Sequence, residues 1–243
     1  MRLKRLLWIV LVCAGVQSAL GQEIVFASVQ DAQRILSTSD GYSKSMSTFD
    51  RAVRMRVLHD PTEQEYLAFA ASAATAWPED ERIAVEAEYR SIQAQVGRLR
   101  LPLPSRIYFI RTSGMEDSHA AYTRQNAIML PVRKLKTTTG QALRRLISHE
   151  LFHVATRAHP RLVDPLYAAV GFQPCGEVRL PPNLSSRRIT NPDAPKDGHC
   201  IRVLLLGETV WALPVLVSTA RMIRSVSPIP SHFEVPEFLS KHR

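Results

Sequence analysis

No apolar run in this sequence reaches the roughly 20 residues that a membrane-spanning helix needs. The longest, residues 6–16, has 11. No stretch interleaves basic residues with aromatics, so the formal charge of +9 carries no nucleic-acid footprint. Cysteine is scarce, at three in 243 residues, and no second tightly spaced Cys/His pair completes a four-ligand structural zinc site. These absences leave a globular chain whose chemistry must sit in a few residues.

The start of the chain carries an address. Met1-Arg2-Leu3-Lys4-Arg5 is basic, residues 6–16 are apolar, and the small residues Ala19 and Gly21 follow. That is the pattern of a secretory signal peptide, residues 1–21, with cleavage expected after Gly21. Val12 precedes Cys13 where a lipidation signal wants a small residue. The mature protein is therefore expected to be exported, periplasmic or secreted, with no membrane span. Loss of Arg2, Lys4 and Arg5 takes the charge from +9 to +6. The remaining basic residues are dispersed and read as a solvated surface, suited to an anionic envelope or acidic substrates. Two cysteines remain, Cys175 and Cys200. In an oxidising compartment an even pair flanking a loop-rich stretch predicts a disulfide.

The periodicity predicts an α+β fold. Residues 22–100 read as a mainly helical part and 101–243 as the part that holds the chemistry, with one continuous domain over 22–243 as the alternative. Residues 28–36 and 49–58 are weakly helical around a turn cluster at 37–41. A pro-segment and a packing arm are both open readings there. Asp60 followed by Pro61 reads as a helix start, with the helix ending near Trp77. A second helix runs from Pro78 to about Val96 and stops at Gly97. Residues 106–112 form a strand by composition, and 121–124 and 127–130 flank Gln125-Asn126 as a hairpin. A helix then runs from a cap within 137–141 to about Ala158, where Pro160 ends it. A short helix at 162–170 precedes an irregular stretch, 172–196, with consecutive turns at 190–195. Residues 199–206 and 209–218 read as two strands joined at Gly207-Glu208.

Within the helix before Pro160 lies Ile147-Ser148-His149-Glu150-Leu151-Phe152-His153, an H-E-x-x-H motif. Four residues make a little over one turn, so His149 and His153 project from one face and can share one Zn²⁺. Glu150 lies beside the first ligand and can reach a water rather than the metal. A chance match on a solvated helix is the alternative. Leu143, Leu146, Ile147, Leu151, Phe152 and Val154 argue against it. They would bury the helix, and two histidines and a carboxylate in a buried helix need partners.

The motif and the strands before it resemble the zincin metallopeptidases. The resemblance implies a mostly antiparallel sheet packed on the motif helix. It also implies a peptide or protein substrate, paired along the edge strand beside the cleft, and zinc-assisted hydrolysis with Glu150 as general base. A non-catalytic zincin-like envelope protein that binds a partner along that edge is the rival expectation.

Catalytic zinc takes a third protein ligand. His159 completes the metzincin spacing, but Thr156 stands where that family turns on Gly, and Met222 is a weak Met-turn candidate. A helix continuing through Thr156 would point His159 about 240° away from His153. Glu177, 24 residues past His153, fits the gluzincin arrangement better and would be held by Cys175. Asp164, Asp193 and His199 are further candidates, with Asp193 read chiefly as a turn residue. Tyr122, Tyr167, Arg188 and His199 are possible donors to an oxyanion.

Overall fold

Ile24, Val25 and Phe26 open the described chain with a strand that composition did not announce, β1 (Glu23–Phe26). The computed structural model describes residues 23–99, 102–176, 178–196, 198–219 and 237–240; residues 1–21, expected to be a signal peptide, and Met222 and Glu177 lie outside them. Strand β1 lies parallel to β2 (Arg106–Thr112), in register from Glu23 opposite Arg106 to Phe26 opposite Phe109. Between them run helices α1 (Val29–Leu36), α2 (Gly41–Ser45), α3 (Thr48–Met55), α4 (Glu63–Ser72) and α5 (Glu79–Leu99). Strands β3 (Tyr122–Arg124) and β4 (Ala127–Pro131) follow, then α6 (Val132–Thr137), α7 (Gly140–Ala158) and α8 (Val163–Ala169). The chain continues through β5 (Phe172–Pro174), α9 (Pro182–Ser185), β6 (His199–Leu205), β7 (Glu208–Val215) and β8 (Glu237–Ser240).

The local signals explain most boundaries. Ser28 caps α1 by accepting from the Asp31 N–H. Helix α4 starts later than Asp60-Pro61 suggests. Its cap is Thr62, which forms a capping box with Glu65, so the T-x-x-E spacing outweighs the proline signal. Helix α5 runs through Gly97 to Leu99. One interior glycine costs a helix only about 1 kcal/mol, too little to end it.

The first sheet has the order β1-β2-β4-β3. The expectation of a mostly antiparallel sheet against the motif helix is corrected here. Pairs β1–β2 and β2–β4 are parallel, and only the edge pair β3–β4 is antiparallel. The reason lies in the connections. Among the described residues Gln125-Asn126 is the only tight strand-to-strand turn in this sheet, and the long links around it leave room for crossovers. The second sheet, β5-β6-β7-β8, is wholly antiparallel. Its β6–β7 hairpin turns through Leu206 (φ 50°) and Gly207 (φ 87°), the double positive φ that a tight primed turn requires.

Alternation along β2 and β4 sends side chains to two covered faces. Ile107, Phe109, Ile128 and Leu130 meet Val85, Tyr89 and Ile92 of α5 and Leu143, Ile147, Leu151 and Val154 of α7. Ile110 and Met129 meet Leu36, Tyr66 and Ala70 from α1 and α4 on the other face. The result is a helix–sheet–helix sandwich. Residues 23–99 contribute a strand to that sheet and helices to both faces, so the helical part shares one core with the motif helix. Among the described residues the second sheet has a small core cluster of Cys200, Leu213 and Val215, with Val178 and Leu180 against it. The expected disulfide is present there. Cys175 and Cys200 are bridged with their Cα atoms 5.7 Å apart.

Candidate metal centre

Helix α7 presents two faces. Leu143, Ile147, Leu151 and Val154 fasten it to the sheet. His149 and His153, one turn apart, look toward the second sheet with their Nε2 atoms 3.1 Å from each other. The third group is Asp193, from the irregular stretch after α9. Its Oδ2 lies 3.9 Å from His153 Nε2. One atom from each of the three residues lies within 4.8 Å of the others.

Bonds of about 2.0–2.1 Å to a tetrahedral centre place ligand atoms about 3.3 Å apart. Separations of 3.1 and 3.9 Å lie on either side of that value. A direct contact between two neutral imidazoles also accounts for 3.1 Å, so the carboxylate is what makes the set metal-like. His153 is nine-tenths buried. Burial pushes its pKa down to about 4, and His149 and Arg157 push the same way against Asp193. The imidazole is therefore neutral at neutral pH, the form a metal needs. Among the described residues its buried Nδ1 has no hydrogen-bond partner.

Asp193 is held at several points. Its Oδ1 accepts from Thr123 Oγ1 (2.9 Å) and the Thr123 N–H (3.3 Å), which leaves Oδ2 to face His153. Its own N–H donates to Asn191 Oδ1. Arg157, one turn past His153, donates to Thr123 Oγ1 (2.7 Å) and to the Pro192 carbonyl (3.0 Å). The neutral-state requirement and the positioned carboxylate both fit a divalent cation.

Glu150 is 1 % exposed, and its Oε2 has no hydrogen-bond partner among the described residues. Burial first, then the charge of Asp193, raise its carboxyl to about 9 against the pull of Arg157. A carboxyl so placed holds its proton despite Arg157, and a dication beside it would favour the ionised form.

The site opens into a cavity of about 510 Å³. His149, His153 and Asp193 line one side of it. Phe152, Tyr167, Phe172, Ile189, Leu213 and Val215 make much of the rest apolar. His199 also lines it. Its Nε2 is 2.9 Å from Asp164 Oδ1, and its ring lies 4.6 Å from that of Tyr167.

The other candidates fall elsewhere. His159 is the exposed cap at the end of α7, because the helix runs on through Thr156 without a turn. Glu177 lies outside the described residues. Asp164 pairs with His199 rather than joining the triad. Tyr122 is fully buried and in the cluster with Tyr42 and Tyr66 rather than in the cavity wall. Arg188 donates to the Pro195 carbonyl. The β3 edge, expected to be open beside the cleft, is covered. Tyr122, Thr123 and Arg124 are all buried; Thr123 is engaged by Asp193, and Arg124 reaches the Leu36 and Thr38 carbonyls and Asp40.

Arg157 and Thr123 are the residues that sequence reading missed. They lie 36 and 70 positions from Asp193, and no local spacing links them. Compared with known proteins, the chain matches no family model, no curated protein and no solved structure. Among the described residues no helix is long and apolar enough to cross a membrane.

Proposed function

We propose that this protein is an exported zinc-dependent hydrolase, a zincin-like metallopeptidase, with His149, His153 and Asp193 as its metal ligands. The observation that carries the reading is the convergence of those three side chains beside a buried carboxylate with an unpartnered oxygen. Asp193 takes the role that spacing alone had offered to Glu177 or His159. A zinc ion held there would acidify a water and polarise a substrate carbonyl.

The chain's own residues supply the rest. Glu150 takes the water's proton and returns it to the leaving amine nitrogen, and its burial keeps that proton from solvent. Tyr167 stands on the cavity wall as a donor to a developing oxyanion, with His199, its Nε2 held by Asp164, beside it. The apolar lining takes an apolar side chain next to the bond that is cut. The leader pattern, the disulfide and the residual positive charge support export to an anionic envelope.

Metal content of the mature protein, read by mass spectrometry, is the test. One zinc per chain is expected, retained in Glu177→Ala and His159→Ala and lost in Asp193→Ala. Glu150→Gln should keep the zinc and lower peptide hydrolysis by about 10²–10⁴-fold. A wild-type protein that holds no zinc after loading and removal of excess would sink the proposal. A Glu150→Gln protein with its full function would instead identify a binding module.

A further inference from the structure

We infer that Asp50 and Arg54 of α3 are positioning residues for the metal centre, gripping the peptide at Thr190 and so fixing where Asp193 lies. The inference rests on the proposed zinc site. It concerns residues that the sequence left as either a pro-segment or a packing arm.

The grip takes both backbone groups of one residue. The Thr190 N–H donates to Asp50 Oδ2 at 2.7 Å, and Arg54 Nη2 donates to the Thr190 carbonyl at 2.7 Å. Asp50 and Arg54 are one helical turn apart and bonded to each other, Nε to Oδ1, at 2.8 Å. Together they offer Thr190 the acceptor and donor that a neighbouring strand would offer. Arg54 Nη1 reaches on to Asp117, in the 3₁₀ turn Met115–Asp117, and Thr190 Oγ1 donates to the Ser45 carbonyl at 3.2 Å. Asp50, Arg54 and Thr190 are 0, 6 and 1 % exposed.

Thr190 is three residues before Asp193, a reach of about 10 Å at most. Within that reach Pro192 has a fixed φ, and its carbonyl is pinned by Arg157. The ligand-bearing segment thus has no freedom at its start and little along its length. It belongs to no strand or helix, so these polar contacts stand in for regular structure.

Two buried carboxylates around one guanidinium are an expensive way to stabilise a fold, and apolar residues often serve as well. What an apolar replacement cannot do is bind the N–H and C=O of a chosen peptide. A metal ligand displaced by a fraction of an ångström costs affinity, so such supports are expected directly behind the ligands. On this view α3 is an integral part of the centre, and removing it would strip the site of its carboxylate.

Arg54→Met, of similar length but without donors, tests this. Zinc affinity is measured by competition with a chromophoric chelator on protein whose far-UV circular dichroism matches the wild type, with the visible spectrum of the Co²⁺-substituted form alongside. The expected result is zinc binding about 10–100-fold weaker and altered cobalt bands. Leu36→Ala, a core truncation on α1 away from the loop, should lower stability and leave zinc affinity unchanged. If Arg54→Met does not fold, Arg54→Lys carries the test. One ammonium cannot reach three acceptors in a fixed fork, and about 10-fold weaker binding is expected. A folded Arg54 variant that binds zinc as tightly as the wild type overturns the inference, and so does an equal loss of affinity in Leu36→Ala. A wild type that binds no zinc overturns the proposed function as well, which separates the two failures.

Discussion

The core residues of β2 and β4 are shielded by helices on both faces, whereas β6 and β7 run out of cover beyond Ile201. Strand β5 pairs only with residues 199–201 of β6, and past that point the hairpin exposes Leu204, Leu205 and Leu206, the last almost completely. The first sheet is fixed by side-chain packing. Among the described residues the second buries Cys200, Ala212, Leu213 and Val215 and carries a covalent bridge. The proposed ligands divide unevenly between the two. His149 and His153 ride on a helix packed into the first core. Asp193 enters from the segment leading to β6, yet its carboxylate is bonded to Thr123 of β3, and its segment is held by α3 at Thr190 and by α7 at Pro192. The difference teaches that the centre belongs to the first sheet, and that the second sheet serves as a wall of the cavity.

The largest effect should come from breaking the first core. Phe109 is fully buried, with Phe26 and Tyr89 rings at 5.6 and 6.0 Å. Phe109→Ala should cost about 3–5 kcal/mol in denaturant unfolding, by lost burial and the cavity left behind. Both sheets should unfold together in that variant, since the wall has little core of its own. A melt in which the second sheet outlives the first would break the comparison.

The next effect isolates the wall. Replacing Cys175 and Cys200 by Ser opens a link across 25 residues, and the loop-closure estimate for that length is about 3.5 kcal/mol. The loss should be local. Hydrogen exchange should quicken across residues 199–215 while residues 107–110 and 147–154 stay protected. Zinc content should be retained, because the contacts that hold Asp193 lie in the first sheet and its helices. Loss of zinc together with the disulfide would move the centre's support to the wall.

The same division explains what the sequence disclosed. The motif helix, the β2 strand and the β3–β4 hairpin each announce themselves within a dozen residues, by apolar period or by a turn such as Gln125-Asn126. The disulfide follows from counting. Strand β1 was not legible, because four residues gain their identity only from β2, over 80 positions away. Asp193 was legible chiefly as a turn residue, and as a ligand candidate only behind Glu177 and His159. The turn aims its carboxylate at His153, and the bonds that hold the aim come from Thr123 and Arg157, joined by the fold alone. The parallel pairing was missed for a related reason, since a long connection says that a crossover is allowed and not where it returns.

The smallest of the three effects follows the buried charges. Among the described residues, every buried ionisable side chain outside the disulfide belongs to the first sheet and its helices, and none to the wall. Glu116 is the clearest case. It is fully buried, and burial raises its carboxyl to about 7, with Thr112 and the local backbone opposing only in part. Among the described residues neither of its oxygens has a hydrogen bond of full geometry. An acid whose pKa is raised on folding holds its proton in the folded state where the unfolded chain has lost it. Its contribution is therefore complete below the ordinary carboxylate pKa of about 4.5 and disappears as the pH rises to about 7. The size is on the order of 2 kcal/mol, allowing for partial relaxation. Glu150 and His153 also titrate in the first sheet's region, so the measurement is a difference. Wild type and Glu116→Gln are unfolded in urea from pH 5 to 7.5, and the wild type should lose stability over that window relative to the variant. The melting of the second sheet, followed by exchange at residues 199–215 in the disulfide-free protein, should show no such dependence. Parallel pH profiles for wild type and Glu116→Gln would show that Glu116 is not the group responsible. A pH-sensitive wall would show that the two sheets are coupled more tightly than their packing implies.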